Sequence, residues 1–426
     1  MAHIEAFAGI RFGPASGAGS DISKLVSPPY DVLGPADKER LIGESPNNVV
    51  VIDLPFVPAK KAGPDELYEQ SGATLKKWLE TGVLVQDDSP AIYVYHQRFT
   101  WQGENYTRRL FFCRLRLEPF GEGSVFPHEL TFGGPKEDRL KLMKTTRCQL
   151  SSIFSLFNDP KGEALAALES AVAGEPDAIA RQDDVENRLW RVTDPKTIEA
   201  VCAAIRDKKI YVADGHHRYG TAMMYRDWLA EQEGGLPDDH PANFVLTALS
   251  EMDDPGMLIL PTHRVLVELG NLTDEEILQA WSEGLELTET NAADVTADFT
   301  LFAGRSGKHF SARIRDRGVL QQLEPTESEP WCELDMTYLH RYLIDELLVA
   351  RRRNGNPVTI RYVKSVDDAE SAARDGAGVA VLASATSMAQ LRAVSEAGSF
   401  MPQKSTFFFP KLVTGMVINP LTPSIH

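Results

Sequence analysis

Cysteine is scarce: the 426 residues contain four, and no two form a CxxC pair. Cys113, Cys148, Cys202 and Cys332 lie far apart, which argues against a zinc knuckle or a dithiol redox motif and leads us to expect four reduced packing residues. Long apolar runs are also missing. Nothing reaches the roughly 18 apolar residues of a membrane-spanning helix, and the opening MAHIEAFAGIRFGP lacks a basic stretch followed by a sustained apolar one. The expected setting is the cytoplasm. Positive charge is in deficit, with 44 basic against 61 acidic side chains and a net charge of -17, so the chain as a whole repels nucleic acid and anionic membrane surfaces. Any anion it binds must meet a local basic site. Internal repeats, low-complexity tracts and long linkers are absent, as are the GxxxxGK[ST] and GxGxxG phosphate loops.

The apolar content, 43% of residues, is enough for a full core, and the length suggests two domains, taken as 1–250 and 251–426. The segment NNVVVIDLPF reads as a buried strand and DELYEQSGATLKKWLETGVL as an amphipathic helix. AIYVYHQRFTWQGENYTRRLFFCRLRLEPF reads as a hairpin turning near Gln102 and Gly103. Lys136 to Lys144 reads as a helix entered through Gly133, Gly134 and Pro135. Strands are expected at RLWRVTD, KKIYVADG and LILPTHRVLVEL, and helices at LTDEEILQAWSEGL and MTYLHRYLIDELLVARR. This mixture predicts an α+β fold, a mixed sheet with helices.

The densest chemistry lies in YVADGHHRYGTA, residues 211–222, where an acid, a glycine, two histidines and an arginine follow an apolar strand and precede a helical pattern. This order puts the polar residues at a helix N-terminus, where free N–H groups and the helix dipole favour an anion. Gly215 lets a ligand approach the backbone, and Arg218 offers a two-pronged donor suited to phosphate. His216 and His217 can donate to oxygens or move protons near neutral pH. The plain alternative is an Asp-Gly turn that caps a helix, with surface histidines and a salt-bridged arginine.

This strand–DGHHR–helix element resembles the phosphate-binding segment of the ParB/sulfiredoxin-like superfamily, which includes sulfiredoxin, CTP-binding ParB proteins and archaeal free-serine kinases. Across nearly its full length the chain also resembles a large prokaryotic domain-of-unknown-function family, sometimes labelled as phosphatases. That resemblance rests on VSPPYDV at 26–32, HELTFGGPKEDRLKLM at 128–143, YVADGHHRY at 211–219, LPTHRV at 260–265 and MPQKSTFFFPKL at 401–412. The superfamily resemblance implies a ParB/sulfiredoxin-like core with large additions, and nucleotide phosphates on His216, His217 and Arg218.

Other clusters supply candidate partners. Glu129 precedes the glycine pair and is a candidate base, with Asp214 and His216 as further catalytic candidates and Asp214 as a candidate magnesium ligand. Lys136 and Arg139 are candidate phosphate contacts, although a solvated helix face explains that charge run as well. Tyr30 and Asp31, His263 and Arg264, and Lys404 are candidate substrate contacts, each with a plain structural alternative: a rigid loop, a local hydrogen-bonding or salt-bridge feature, and the flank of a buried phenylalanine strand.

The leading expectation is phosphoryl transfer to a small metabolite, a kinase acting on serine or a similar hydroxyl compound with Mg2+ and ATP or ADP. The alternatives are a small-molecule phosphatase, for instance on phosphoserine, and a nucleotide-binding switch without metabolic chemistry. The expected partners are a small substrate and a nucleotide, with no nucleic acid and no membrane. Oligomeric state is left open.

Overall fold

The computed structural model describes residues 1–59, 61–130, 133–270, 272–292, 296–349 and 358–422. Two compact units are present. The first comprises Met1–Pro127, Thr131–Met257 and Pro410–His426, and the second His128–Leu130 and Leu258–Phe409.

The first unit is built on a nine-stranded mixed sheet. Its strands are β1 (Ile4–Glu5), β2 (Ile92–Trp101), β3 (Glu104–Arg116), β4 (Val125–Phe126), β5 (Ile153–Phe157), β6 (Ala178–Gln182), β7 (Val185–Val192), β8 (Ile210–Asp214) and β9 (Phe244–Glu251). They run in the order β4-β8-β5-β9-β3-β2-β7-β6, with β1 also on β3. The pairs β8–β4 and β9–β5 are parallel, whereas β8–β5, β9–β3 and β2–β3 are antiparallel. The β2–β3 hairpin turns where the sequence placed it. Gln102 and Gly103 have φ values of 50° and 85°, the left-handed pair of a tight two-residue turn.

Three helices, α1 (Asp65–Glu80), α2 (Gly133–Thr146) and α3 (His216–Glu233), pack in series, α1 on α2 and α2 on α3. Tyr219, Ala222 and Tyr225 of α3 share one apolar cluster with Ile153, Ile210, Val212, Val245 and Leu249 of the sheet. That cluster fixes α3 against the strands that deliver it. Cys113, Cys148 and Cys332 are buried, Cys202 is half-buried, and all four thiols are free.

NNVVVIDLPF departs from expectation. Val50–Asp53 is a short helix, not a strand. Asn48 decides it: its Oδ1 accepts from Val50 N at 2.9 Å, and its Nδ2 donates to the carbonyls of Lys24 and Val26 at 2.9 and 2.8 Å. A local side-chain cap combined with burial of Val49, Val50 and Ile52 outweighs the β preference of a branched run.

The second unit has a six-stranded, wholly antiparallel sheet of β10 (His263–Val267), β11 (Leu285–Thr290), β12 (Phe299–Ala303), β13 (Lys308–Ile314), β14 (Thr359–Val363) and β15 (Val379–Ala383). Its order is β11-β13-β12-β15-β10-β14. Helix Val366–Asp375 contributes Ala369 and Ala373 to the cluster containing Val265 and Val267, while Asp274–Trp281 and the π-helix Tyr338–Leu348 cover Leu266 and Val381. The expected helix at MTYLHRYLIDELLVARR is therefore wound more widely than an α-helix, and its residues 350–352 lie outside the described residues. The three phenylalanines Phe407–Phe409 form a short strand paired with Leu258–Leu260. Among the described residues no helix is long and apolar enough to cross a membrane.

Replacing Asn48 with alanine strands two buried backbone groups, Val26 O and Val50 N, and removes a third, part-buried bond to Lys24 O. We expect a loss of about 3 kcal/mol in chemical denaturation, with an unchanged denaturant slope.

Candidate functional site

The geometry begins with an irregularity in β8. Its register against β5 shifts between Val212 and Asp214, and such bulges turn the residue that follows them. Gly215 then takes φ 95° and caps α3, with the first helical bond from Tyr219 N to Gly215 O at 2.9 Å. A Cβ at Gly215 would meet Arg218 Nε and Nη2 and Ile153 Cγ2, all at 3.0 Å. The glycine is needed for its left-handed backbone and because the arginine closes directly over it. Arg218 folds back one turn, donating through Nη2 to Asp214 Oδ2 at 2.8 Å and through Nη1 to the Ser152 carbonyl. His216 is buried at the first helical position, and His217 beside it accepts from Thr221 Oγ1 through its carbonyl at 2.8 Å.

A second cation reaches Asp214 from the far end of the chain. Lys411 Nζ donates to Asp214 Oδ1 at 2.7 Å. Arg108, fully buried in β3, also acts on Asp214 electrostatically, while its guanidinium bonds Gln97 and the Pro410 carbonyl and lies 4.9 Å over the Phe154 ring. Burial pulls the Arg108 pKa down to about 10, against the pull of Tyr95, Asp254 and Asp214. Burial would raise the Asp214 pKa, but Lys411, Arg218 and His216 together hold it well below the usual carboxylate range. Two cations thus bond this carboxylate, and a third acts on it from within the sheet. Asp214, expected as a catalytic candidate, is engaged through both of its oxygens by Lys411 and Arg218. Both its oxygens are held by cations, so it does not fit the expected role of metal ligand. No group of three or more His, Cys, Asp or Glu side chains gathers to hold a metal ion among the described residues.

Lys136 lies across the first turns of α3. A Cβ on Gly220 would meet its Cε at 3.0 Å, which explains a glycine inside a helix. Arg139, expected at phosphate, instead turns inward and is 4% exposed. Its Nε donates to Asp138 Oδ2 at 2.7 Å and its Nη1 to Asp53 O at 2.7 Å, and the guanidinium lies 4.0 Å over the Tyr30 ring. Asp53 and Asp138 keep Arg139 charged in spite of burial, and burial pushes the Tyr30 phenol up to about 12. Arg139, Asp53 and Arg218 line a cavity of about 30 Å³, room for a water molecule or two and not for a nucleotide. Tyr30 and Asp53 both feel the charges of Arg218 and Asp31, so the SPPYD turn belongs to the same electrostatic cluster as the DGHHR turn.

Glu129, His263, Arg264 and Lys404 belong to the second unit. Successive strand residues face opposite ways, so His263 and Arg264 do not converge on one ligand. His263 Nδ1 accepts from Ala383 N at 3.2 Å, and burial, helped by Arg264, lowers its pKa. Arg264 is buried and clamps the carbonyls of Thr262, Gln403 and Lys404. Lys404 is exposed with φ 58°, and its N–H donates to Glu129 Oε1 at 3.2 Å. In this unit the arginine shapes the loop that carries Lys404.

Residues 4–337 match the model of the family described as a protein of unknown function, DUF1015. The chain belongs to this family. None of the curated proteins matches it by sequence. Among solved structures it is similar to a mutant free serine kinase in complex with AMP, at 12% identity and a TM-score of 0.34 over 67% of this chain and 84% of that one. It is also similar to a mutant free serine kinase in complex with ADP (13%, TM-score 0.33, 67% and 84%). A third is SbnI with a C-terminal truncation from Staphylococcus aureus (11%, TM-score 0.36, 70% and 84%).

Sequence reading did not place Lys411, Arg108 or Asp53 at the site. Lys411 was visible beside the phenylalanine run, but its partner is 197 residues away, a separation no motif spans. Arg108 had a signal: it shares a strand face with Leu110 and Phe112, a charge in an apolar register.

Gly215→Ala is expected to cost roughly 1 to 2 kcal/mol in a denaturant titration, because an L-residue must take a left-handed conformation there. Acid should act through Asp214. Its folded pKa is lowered, so its stabilisation is present above the unfolded value and lost as pH falls through the folded one. Wild-type protein should lead Asp214→Asn at pH 7, and the gap in melting temperature should shrink steadily below about pH 4.

Proposed function

We propose that the first unit binds the phosphates of a nucleotide and that the protein transfers a terminal phosphoryl group to a hydroxyl on a small metabolite. The observation that carries this reading is the pair of cations, Lys411 and Arg218, on Asp214 at the N-terminus of α3, with Arg108 acting on the same carboxylate from within the sheet. A helix start with its positive dipole end, a fixed guanidinium and a lysine offers charge where phosphoryl oxygens need it. Catalysis by positioning and electrostatics requires no covalent nucleophile. The resemblance of this strand, turn and helix to the ParB/sulfiredoxin-like phosphate segment fits the same reading, and the free thiols fit a reducing cytoplasm.

In the transfer, the acceptor oxygen forms a new bond to phosphorus as the bond to the bridging nucleotide oxygen breaks, and the electron pair leaves with the shortened nucleotide. The hydroxyl proton passes to His216, which is buried beside Asp214 and interacts with it electrostatically. An imidazole can accept a proton near neutral pH. Magnesium would travel with the nucleotide phosphates, which are its preferred ligands, and not on Asp214.

Phosphorus NMR of the protein with ATP or ADP and serine as first acceptor tests the reading. A phosphomonoester signal should appear only with nucleotide and should fall by about 100-fold or more in Arg218→Ala. His216→Asn should slow the transfer while nucleotide binding is kept, as expected for the proton acceptor. Free phosphate from phosphoserine without nucleotide would replace the kinase by a phosphatase, and nucleotide shifts without product over a panel of hydroxyl acceptors would replace it by a binding switch.

A further inference from the structure

The last segment of the first unit is anchored more firmly than a surface ion pair requires. The Pro410 carbonyl accepts from Arg108, and the Lys411 carbonyl accepts from Gln97 Nε2 at 3.1 Å. Gln97 also donates to Asn187 Oδ1 at 3.0 Å, and Gln97, Arg108 and Asn187 are all fully buried. Three residues further on, Thr414 and Ser27 exchange backbone hydrogen bonds of 3.1 and 2.8 Å. Burying this much polar structure is costly unless every group is matched, whereas a part-exposed lysine–carboxylate pair returns little stability. The construction fixes the backbone from which the Lys411 side chain projects.

The two cations on Asp214 are not equivalent. Arg218 is tied both to Asp214 and to the Ser152 carbonyl, and its side chain is 14% exposed. Leaving would break two bonds at once. Lys411 reaches Asp214 with a compact ammonium on a flexible stem, and its side chain is 24% exposed. A lysine head carries three donors and can turn between acceptors without moving its backbone.

We infer that Lys411 is a catalytic lysine, held ready by Asp214, that turns its ammonium onto the oxygens of the transferred phosphoryl group while Arg218 stays on the carboxylate. Asp214 is then a positioning residue, and the C-terminal segment supplies a part of the site that the DGHHR turn lacks. This inference rests on the phosphoryl-transfer reading above.

The test compares wild type, Lys411→Met and Lys411→Arg by calorimetric ADP binding and by single-turnover transfer from the nucleotide that wild type uses. Lys411→Met should bind ADP within about threefold of wild type while its transfer rate falls by about 100-fold or more, the signature of a contact made in the transition state. Lys411→Arg keeps the charge and the ion pair, so it tests a folded protein even if the methionine variant fails to fold. Its rate should still fall by about tenfold, because a planar fork does not reproduce a point charge. Added ethylammonium should raise the rate of Lys411→Ala in proportion to its concentration, which a purely structural lysine would not allow. If wild type transfers phosphate and both Lys411→Met and Lys411→Arg match its rate, the inference is overturned and the function stands. If wild type neither binds ADP or ATP nor transfers phosphate, the functional reading fails first and takes this inference with it.

Discussion

One carboxylate organises the first unit's polar chemistry. Asp214 ends a buried strand, sits just past a bulge and immediately before a left-handed glycine, and receives Arg218 from one side and Lys411 from the other. Without it, two cations would face each other at the start of a helix whose own dipole is positive there. With it, they are held close together on one anion. That balance, two cations kept in place by a single fixed anion, is what the proposed phosphate site depends on.

The buried polar groups behind the site follow the same logic. Arg108 and Gln97 lie within the sheet, and they spend their hydrogen bonds on each other and on the returning chain at Pro410 and Lys411. Arg139 spends its charge on Asp53 and Asp138, with Tyr30 stacked over it and Tyr68 donating to Asp138 at 2.6 Å. A buried ion is tolerable only when paired in this way, and a paired network holds its members in one arrangement. Arg139 and Asp53 therefore form the wall beside Arg218, one step removed from any ligand at the helix start.

Much of the fold was legible because its signals are local. The β2–β3 hairpin followed from alternation and a glycine turn, and α1 and α2 from helical spacing and an entry through proline. The DGHHR turn was legible for the same reason, since an apolar strand, a glycine and a helical pattern are contiguous. Val50–Asp53 was misread because its β-branched run points to a strand, while the residue that decides it is Asn48, bonded to carbonyls more than twenty positions upstream. His263 and Arg264, adjacent in sequence, were taken as a pair, and strand geometry separates them.

The sequence by itself determined the mixed α+β character, the turn that starts α3 and the identity of the residues on it, because these depend on neighbours within a few positions. Only the tertiary structure decided which charges meet. It sent Arg139 inward to Asp53 and Asp138, took Arg264 into a loop clamp, and brought Lys411 back across 197 residues to Asp214. The physical reason is range: backbone conformation is governed by local sterics and hydrogen bonds, whereas the pairing of buried charges is governed by whichever partners the packed core leaves within a few ångströms.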